Sequence, residues 1–122
     1  MQLIRQGFFR EMLQGDEMDS SIFDFIQENA SNNEERIVDY LNKGIVVTAC
    51  GGVVRDVINP INGIAGCPDL KTDGVWVWPG DLEYYVKKYH IKLKEEFINT
   101  MIRNSWVIIN ESEINFDDIE IL

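Results

Sequence analysis

The stretch from Leu70 to Tyr89 constrains the fold more than any other part of the chain. Leu70-Lys71-Thr72 and Val75-Trp76-Val77-Trp78 flank Asp73-Gly74, a pair suited to a tight reversal, so two antiparallel strands are predicted. Alternation puts Trp76 and Trp78 on one face of the second strand and Val75 and Val77 on the other. With both faces partly apolar, helices are expected to pack on one side of the sheet. Pro79-Gly80 then ends the strand and Asp81 stands where a helix N-cap is needed. Beyond it Leu82, Tyr85, Val86 and Tyr89 recur at i, i+3, i+4 and i+7, an amphipathic helical stripe.

The same reading extends in both directions. Upstream, Ile4, Phe8 and Met12, with Phe9 and Leu13, fall at helical spacing interrupted by Gly7. Ser20-Ser21 can cap a short helix carrying Ile22, Phe25 and Ile26. Asn32 or Asn33 can cap another in which Glu34 and Glu35 complement the helix dipole, Ile37, Tyr40 and Leu41 face inward, and Gly44 terminates. Ile45 to Cys50 is a continuous, largely β-branched run, as expected of a buried strand. Gly51-Gly52 then predicts a hairpin to Val53–Ile58, and Asn59 to Gly63 a second turn with Asn62-Gly63 as a type I′ signal. Downstream, Leu93, Phe97 and Met101 form a further helical stripe, and Trp106 to Ile109 reads as a last strand. The expected architecture is α+β: an antiparallel β-meander of three to five strands, with helices N-terminal and C-terminal to it.

Residues 1–122 read as a single domain, since no repeat, low-complexity segment or linker divides them. No apolar run approaches the roughly 20 residues of a spanning helix. The N-terminus lacks a basic region followed by an apolar stretch, so no secretory signal is read and a cytoplasmic location is expected. There Cys50 and Cys67 are expected as thiols.

Charge narrows the partners. With 21 acidic and 11 basic residues the chain carries a net −10, which disfavours nucleic acid and anionic membrane surfaces and favours a basic protein partner. Half of that charge lies between Val107 and Leu122, which hold Glu111, Glu113, Asp117, Asp118 and Glu120 and no basic residue. Ile114, Phe116, Ile119, Ile121 and Leu122 are interleaved with these acids. A purely solvated tail does not need them, so residues 111–122 form an acidic-apolar segment that packs on the domain or docks elsewhere.

Candidate chemistry is sparse. Cys50, before two glycines, invites a nucleophile reading, but the only imidazole is His90, and the plain alternative is a buried small hydrophobe. His90 with Asp69, Asp73 or Asp81 matches no metal-ligand spacing, and the pairs Asp16–Glu17 and Asp117–Asp118 are neighbouring acids on polar stretches. No glycine-rich phosphate loop is present. No cofactor and no metal are therefore expected. Among the clustered aromatics, Tyr84 falls off the apolar stripe and is a candidate interface residue.

The run Thr72-Asp73-Gly74-Val75-Trp76-Val77-Trp78-Pro79, followed by Asp81-Leu82-Glu83-Tyr84-Tyr85-Val86 and Glu95-Glu96-Phe97, resembles a pattern in small uncharacterised bacterial proteins. Arg5-Gln6-Gly7-Phe8-Phe9-Arg10-Glu11-Met12 is similar to part of the same pattern, which carries proline where this chain has Lys94. The resemblance spans roughly a third of the chain and brings no catalytic residues with it. In size and acidity such proteins are similar to immunity proteins that neutralise bacterial toxins. That similarity implies a non-enzymatic protein binding a basic toxin. The charge and aromatic patterns of the chain itself then supply the contact candidates: Glu111, Glu113, Asp117, Asp118 and Glu120 as a charged rim, Phe116 as apolar anchor and Tyr84 as a further contact. The alternatives are a small enzyme using Cys50 or carboxylates, and a homo-oligomer whose tail adds a strand to a neighbour.

Overall fold

The computed structural model describes residues 1–122 as an α+β fold. In chain order the elements are β1 (Gln2–Arg5), α1 (Glu34–Asn42), β2 (Ile45–Thr48), β3 (Val54–Arg55), β4 (Ile64–Gly66), β5 (Leu70–Thr72), β6 (Trp76–Pro79), α2 (Leu82–Tyr89), α3 (Glu95–Arg103) and β7 (Glu120–Ile121), with short 3-10 turns between them. Five strands form one sheet in the order β2-β5-β6-β1-β7, while β3 and β4 form a separate two-stranded ribbon.

The expected reversal at Asp73-Gly74 is present, and β5 and β6 pair antiparallel with Thr72 opposite Val77. Gly74 takes a φ of 97°, and Asp73 Oδ1 accepts from the N–H groups of Val75 at 2.9 Å and Trp76 at 2.7 Å. The sheet is nevertheless mixed rather than a pure antiparallel meander. β1 lies parallel to both β6 and β7, with Ile4 opposite Trp76 and Gln2 opposite Glu120.

This corrects the expectation of an N-terminal helix. Over Gln2–Arg5 the alternation that matters has period 2: Leu3 is fully buried and its neighbours are not. Gly7, at φ 80°, then turns the chain away, and a Cβ there would strike Leu82. Phe9 and Met12 are both buried, but within a turn closed by the Met12 N–H on the Phe9 carbonyl, and Leu13 is 70% exposed.

Three other strand assignments differ from expectation, each for its own reason. β2 is an edge strand, with Val46 exposed, and it pairs with β5 rather than with the segment after Gly51-Gly52. Val53 to Ile58 contributes only β3, which pairs with β4. The connection between them is a 3-10 turn at Pro60–Asn62, capped by Asn59 and closed by Gly63, in place of a two-residue type I′ turn. Trp106 to Ile109 is not a strand, because Ser105 and Trp106 adopt positive φ. The last strand is β7.

α1, α2 and α3 supply the stripes read from the sequence: Ile37, Tyr40 and Leu41; Leu82, Tyr85 and Val86; Phe97 and Met101 are buried. They close over Trp76 and Trp78, whose rings lie 5.1 and 5.3 Å from that of Phe97. Each indole N–H finds an acceptor, Thr100 Oγ1 at 2.9 Å for Trp76 and the Leu41 carbonyl at 3.1 Å for Trp78. Leu3, Val77 and Ile114 are buried outside this cluster.

Candidate functional site: an acidic sheet edge

The acidic tail is folded onto the domain. The Glu120 N–H donates to the Met1 carbonyl at 2.8 Å and the Leu122 N–H to the Leu3 carbonyl at 2.9 Å, so β7 becomes the outer strand beside β1. Two 3-10 turns lead into it. Asn110 and Glu113 form a reciprocal capping box around Glu111–Glu113, and Asn115 caps Phe116–Asp118. Ile114 is buried between the turns and anchors the segment.

This anchoring leaves all five acids facing solvent. None of Glu111, Glu113, Asp117, Asp118 or Glu120 is paired with a lysine or arginine. Asp118 meets the N-terminal ammonium, through its carbonyl at 2.6 Å and its carboxylate at 3.3 Å, and Glu120 accepts from the Gln2 amide at 3.5 Å. Phe116, Ile121 and Leu122 are also exposed, at 43%, 41% and 56%. Exposed apolar side chains and carboxylates without a lysine or arginine partner therefore lie along one segment.

Tyr84 belongs to a different constellation. Its hydroxyl donates to Asp56 Oδ2 at 2.7 Å, alongside the Tyr89 hydroxyl at 2.5 Å and the Asn62 amide at 3.3 Å. Asp56 Oδ1 accepts the N–H groups of Ile58 and Asn59, both at 2.8 Å. The carboxylate is 1% exposed. Burial acts to raise its pKa, but the donors from Tyr89, Asn59, Tyr84 and Asn62 outweigh that and hold it at about 2. Burial, then the hydrogen bond to Asp56, pushes the Tyr84 phenol well above its ordinary range. Tyr85 accepts the Val57 N–H at 3.0 Å and donates to the Arg55 carbonyl at 3.3 Å. One face of α2 thus clasps the β3–β4 ribbon through three tyrosines.

The remaining candidates are not brought together. Cys50 and Cys67 are free thiols, half-buried and exposed respectively. His90 Nδ1 lies 2.9 Å from both oxygens of Glu34, where it links the end of α2 to the start of α1, and no hydrogen bond joins it to either thiol. Asp81 occupies the N-cap position of α2 yet makes no capping bond; its Oδ1 is buried without a partner, and burial pushes the carboxyl up to about 6. No group of histidine, cysteine and carboxylate side chains converges in a metal-binding arrangement, and no helix is long and apolar enough to cross a membrane.

Sequence reasoning passed over Asp56. Its signal was composition: between Cys50 and Pro68 the only charged residues are Arg55 and Asp56, so an acid there stands alone in an apolar ribbon. Set beside known protein families, curated proteins and solved structures, the chain matches none of them.

Proposed function

We propose that the protein is a non-enzymatic binding protein that recognises a basic protein partner, of the kind a toxin acting on nucleic acid presents, in the manner of an immunity protein. The observation that carries this reading is the edge built by residues 111–122. Five carboxylates without a lysine or arginine partner share with exposed Phe116, Ile121 and Leu122 a segment held by backbone pairing. Exposed charge of one sign speeds encounter with an opposite surface, and apolar side chains on the same segment slow dissociation. Because the edge is already folded, little conformational entropy is lost on binding.

The test is co-purification with the product of the adjacent gene, followed by kinetics across a salt series. The association rate should fall about tenfold or more between low and high salt. Neutralising the five acids together (E111Q, E113Q, D117N, D118N and E120Q) should remove most of that salt dependence, while Phe116→Ala should mainly raise the dissociation rate. No complex, or a complex indifferent to both ionic strength and the neutralised tail, would reject the proposal.

A further inference from the structure

β2 is the other free edge of the five-stranded sheet, at the opposite end from β7. Its chemistry differs from that of the acidic segment. From Gly44 to Val54 no residue carries a charge, in a chain of net −10. Ile45, Val46, Val47 and Thr48 are all β-branched, and Val46 is 42% exposed. Natural sheet edges are protected by charge, proline or a covering element. Here charge and proline are both absent, and the register shifts only beyond Val46.

The hydrogen-bond register fixes which backbone groups of β2 are free. The Asp73 N–H donates to the Trp76 carbonyl, and the Gly80 N–H to the Asp69 carbonyl. Bonded pairs alternate along an antiparallel ladder, so the bonded pair between these two is Lys71 with Trp78. Lys71 therefore turns its N–H and carbonyl toward β6, while Thr72, opposite Ile45, turns its own toward β2. Val46 stands opposite Lys71 and consequently directs its N–H and carbonyl out of the sheet. β5 is the only strand beside β2, and no backbone group elsewhere in the chain bonds to Val46.

We propose that the β2 edge pairs with the same edge of a second copy of this chain, antiparallel about a two-fold axis at Val46. Each Val46 N–H then donates to the Val46 carbonyl of the other copy, so the contact is its own complement. Charge selects both the occupant and the edge. Two chains of net −10 repel wherever their acids meet, and the run from Gly44 to Val54 brings no charge to the contact. A basic strand finds no counter-charge there. The acidic segment ends four strands away, about 19 Å from β2. Joining two sheets through β2 sets the two acidic edges about 43 Å apart, several Debye lengths at physiological salt. Pairing through β7 would bring them together instead. The product is one continuous sheet with an acidic edge at each end. The pairing does not rest on the reading of that edge, so either can fail without the other.

An edge contact this short belongs to the small, transient class of interface, with dissociation expected at about 10–100 μM. Sedimentation velocity of the intact chain across that range should show the mass rise from monomer to dimer. Exchange of the Val46 amide should slow as the dimer forms. Rising salt should not weaken the dimer, the opposite of its effect on a complex with a basic partner. Val46→Pro removes only the outward N–H, which an edge strand tolerates, and Val46→Lys sets like charges opposite each other across the two-fold axis. Each should raise the dissociation constant about tenfold or more. Should Val46→Pro fail to fold, Val46→Lys carries the test, because that side chain is exposed. Three results would overturn the proposal: a monomer throughout the range, a dimer that survives the folded variants unchanged, or a dimer lost when the acids of residues 111–122 are neutralised, which would place the contact at β7.

Discussion

Asp56 and Asp81 are each 1% exposed, and each is packed against α2. One has two peptide N–H groups, two phenols and an amide directed at it; the other has a buried oxygen with no donor at all. Their pKa values part accordingly, to about 2 and about 6. Equal burial thus has opposite consequences: hydrogen bonds to the charged form make Asp56 a stabilising clasp, while desolvation without them makes Asp81 a carboxylate that favours its proton.

The contrast can be broken most severely at Asp56. Asp56→Ala strands five donors at the ribbon and should lower stability by about 3 kcal/mol in urea unfolding. Asp81→Asn should act the other way, raising stability by about 2 kcal/mol at pH 7. The sign follows from the folded pKa lying above the ordinary value near 3.9: the folded state holds the extra proton between about pH 4 and 6, so stability falls as pH rises through that window. The advantage of Asp81→Asn should therefore be small near pH 4 and complete above pH 6. For Asp56 the folded pKa is depressed, so its contribution is present above about pH 4 and is lost as pH falls toward 2. A loss of stability at pH 7 in Asp81→Asn would mean that Asp81 has a partner after all.

Finer substitutions sharpen the comparison. Tyr84→Phe and Tyr89→Phe each remove one donor and should cost about 1 kcal/mol, read as faster exchange of the Asp56 amide that bonds to the Gly63 carbonyl. Neutralising Glu111 and Asp117 should change stability by less than about 0.5 kcal/mol, because those side chains are exposed and neither is paired with a lysine or arginine.

What the sequence made legible was local. Ile37-Tyr40-Leu41, Leu82-Tyr85-Val86 and Phe97-Met101 announce their helices because neighbours on a helix face are three or four residues apart. The Asp73-Gly74 turn is equally self-contained. β1 escaped notice because its alternation covers four residues and its partner, Trp76, lies in the middle of the chain. The partner of β2 was misjudged because two glycines make a hairpin plausible wherever β-branched residues flank them, yet Ile45 and Val46 pair with Thr72 and Lys71. The acids of the tail were legible as a cluster, and their folding onto β1 was not. The Asp56 clasp depends on hydroxyls 28 and 33 residues away, a separation at which periodicity carries no information.

The parallel pairing of β1 has a kinetic side. During synthesis β1 finds one neighbour only when Trp76 has emerged and the other only when Glu120 has. Until then an alternating apolar strand waits on the nascent chain with both edges open, a natural ligand for chaperones and a hazard for aggregation. Closing such distant contacts is slow relative to helix formation. The expected order is α2 and α3 with the β5–β6 hairpin first, β1 inserted next, and the acidic edge laid down last, so that the surface proposed to meet a partner is completed only when the entire core beneath it is in place.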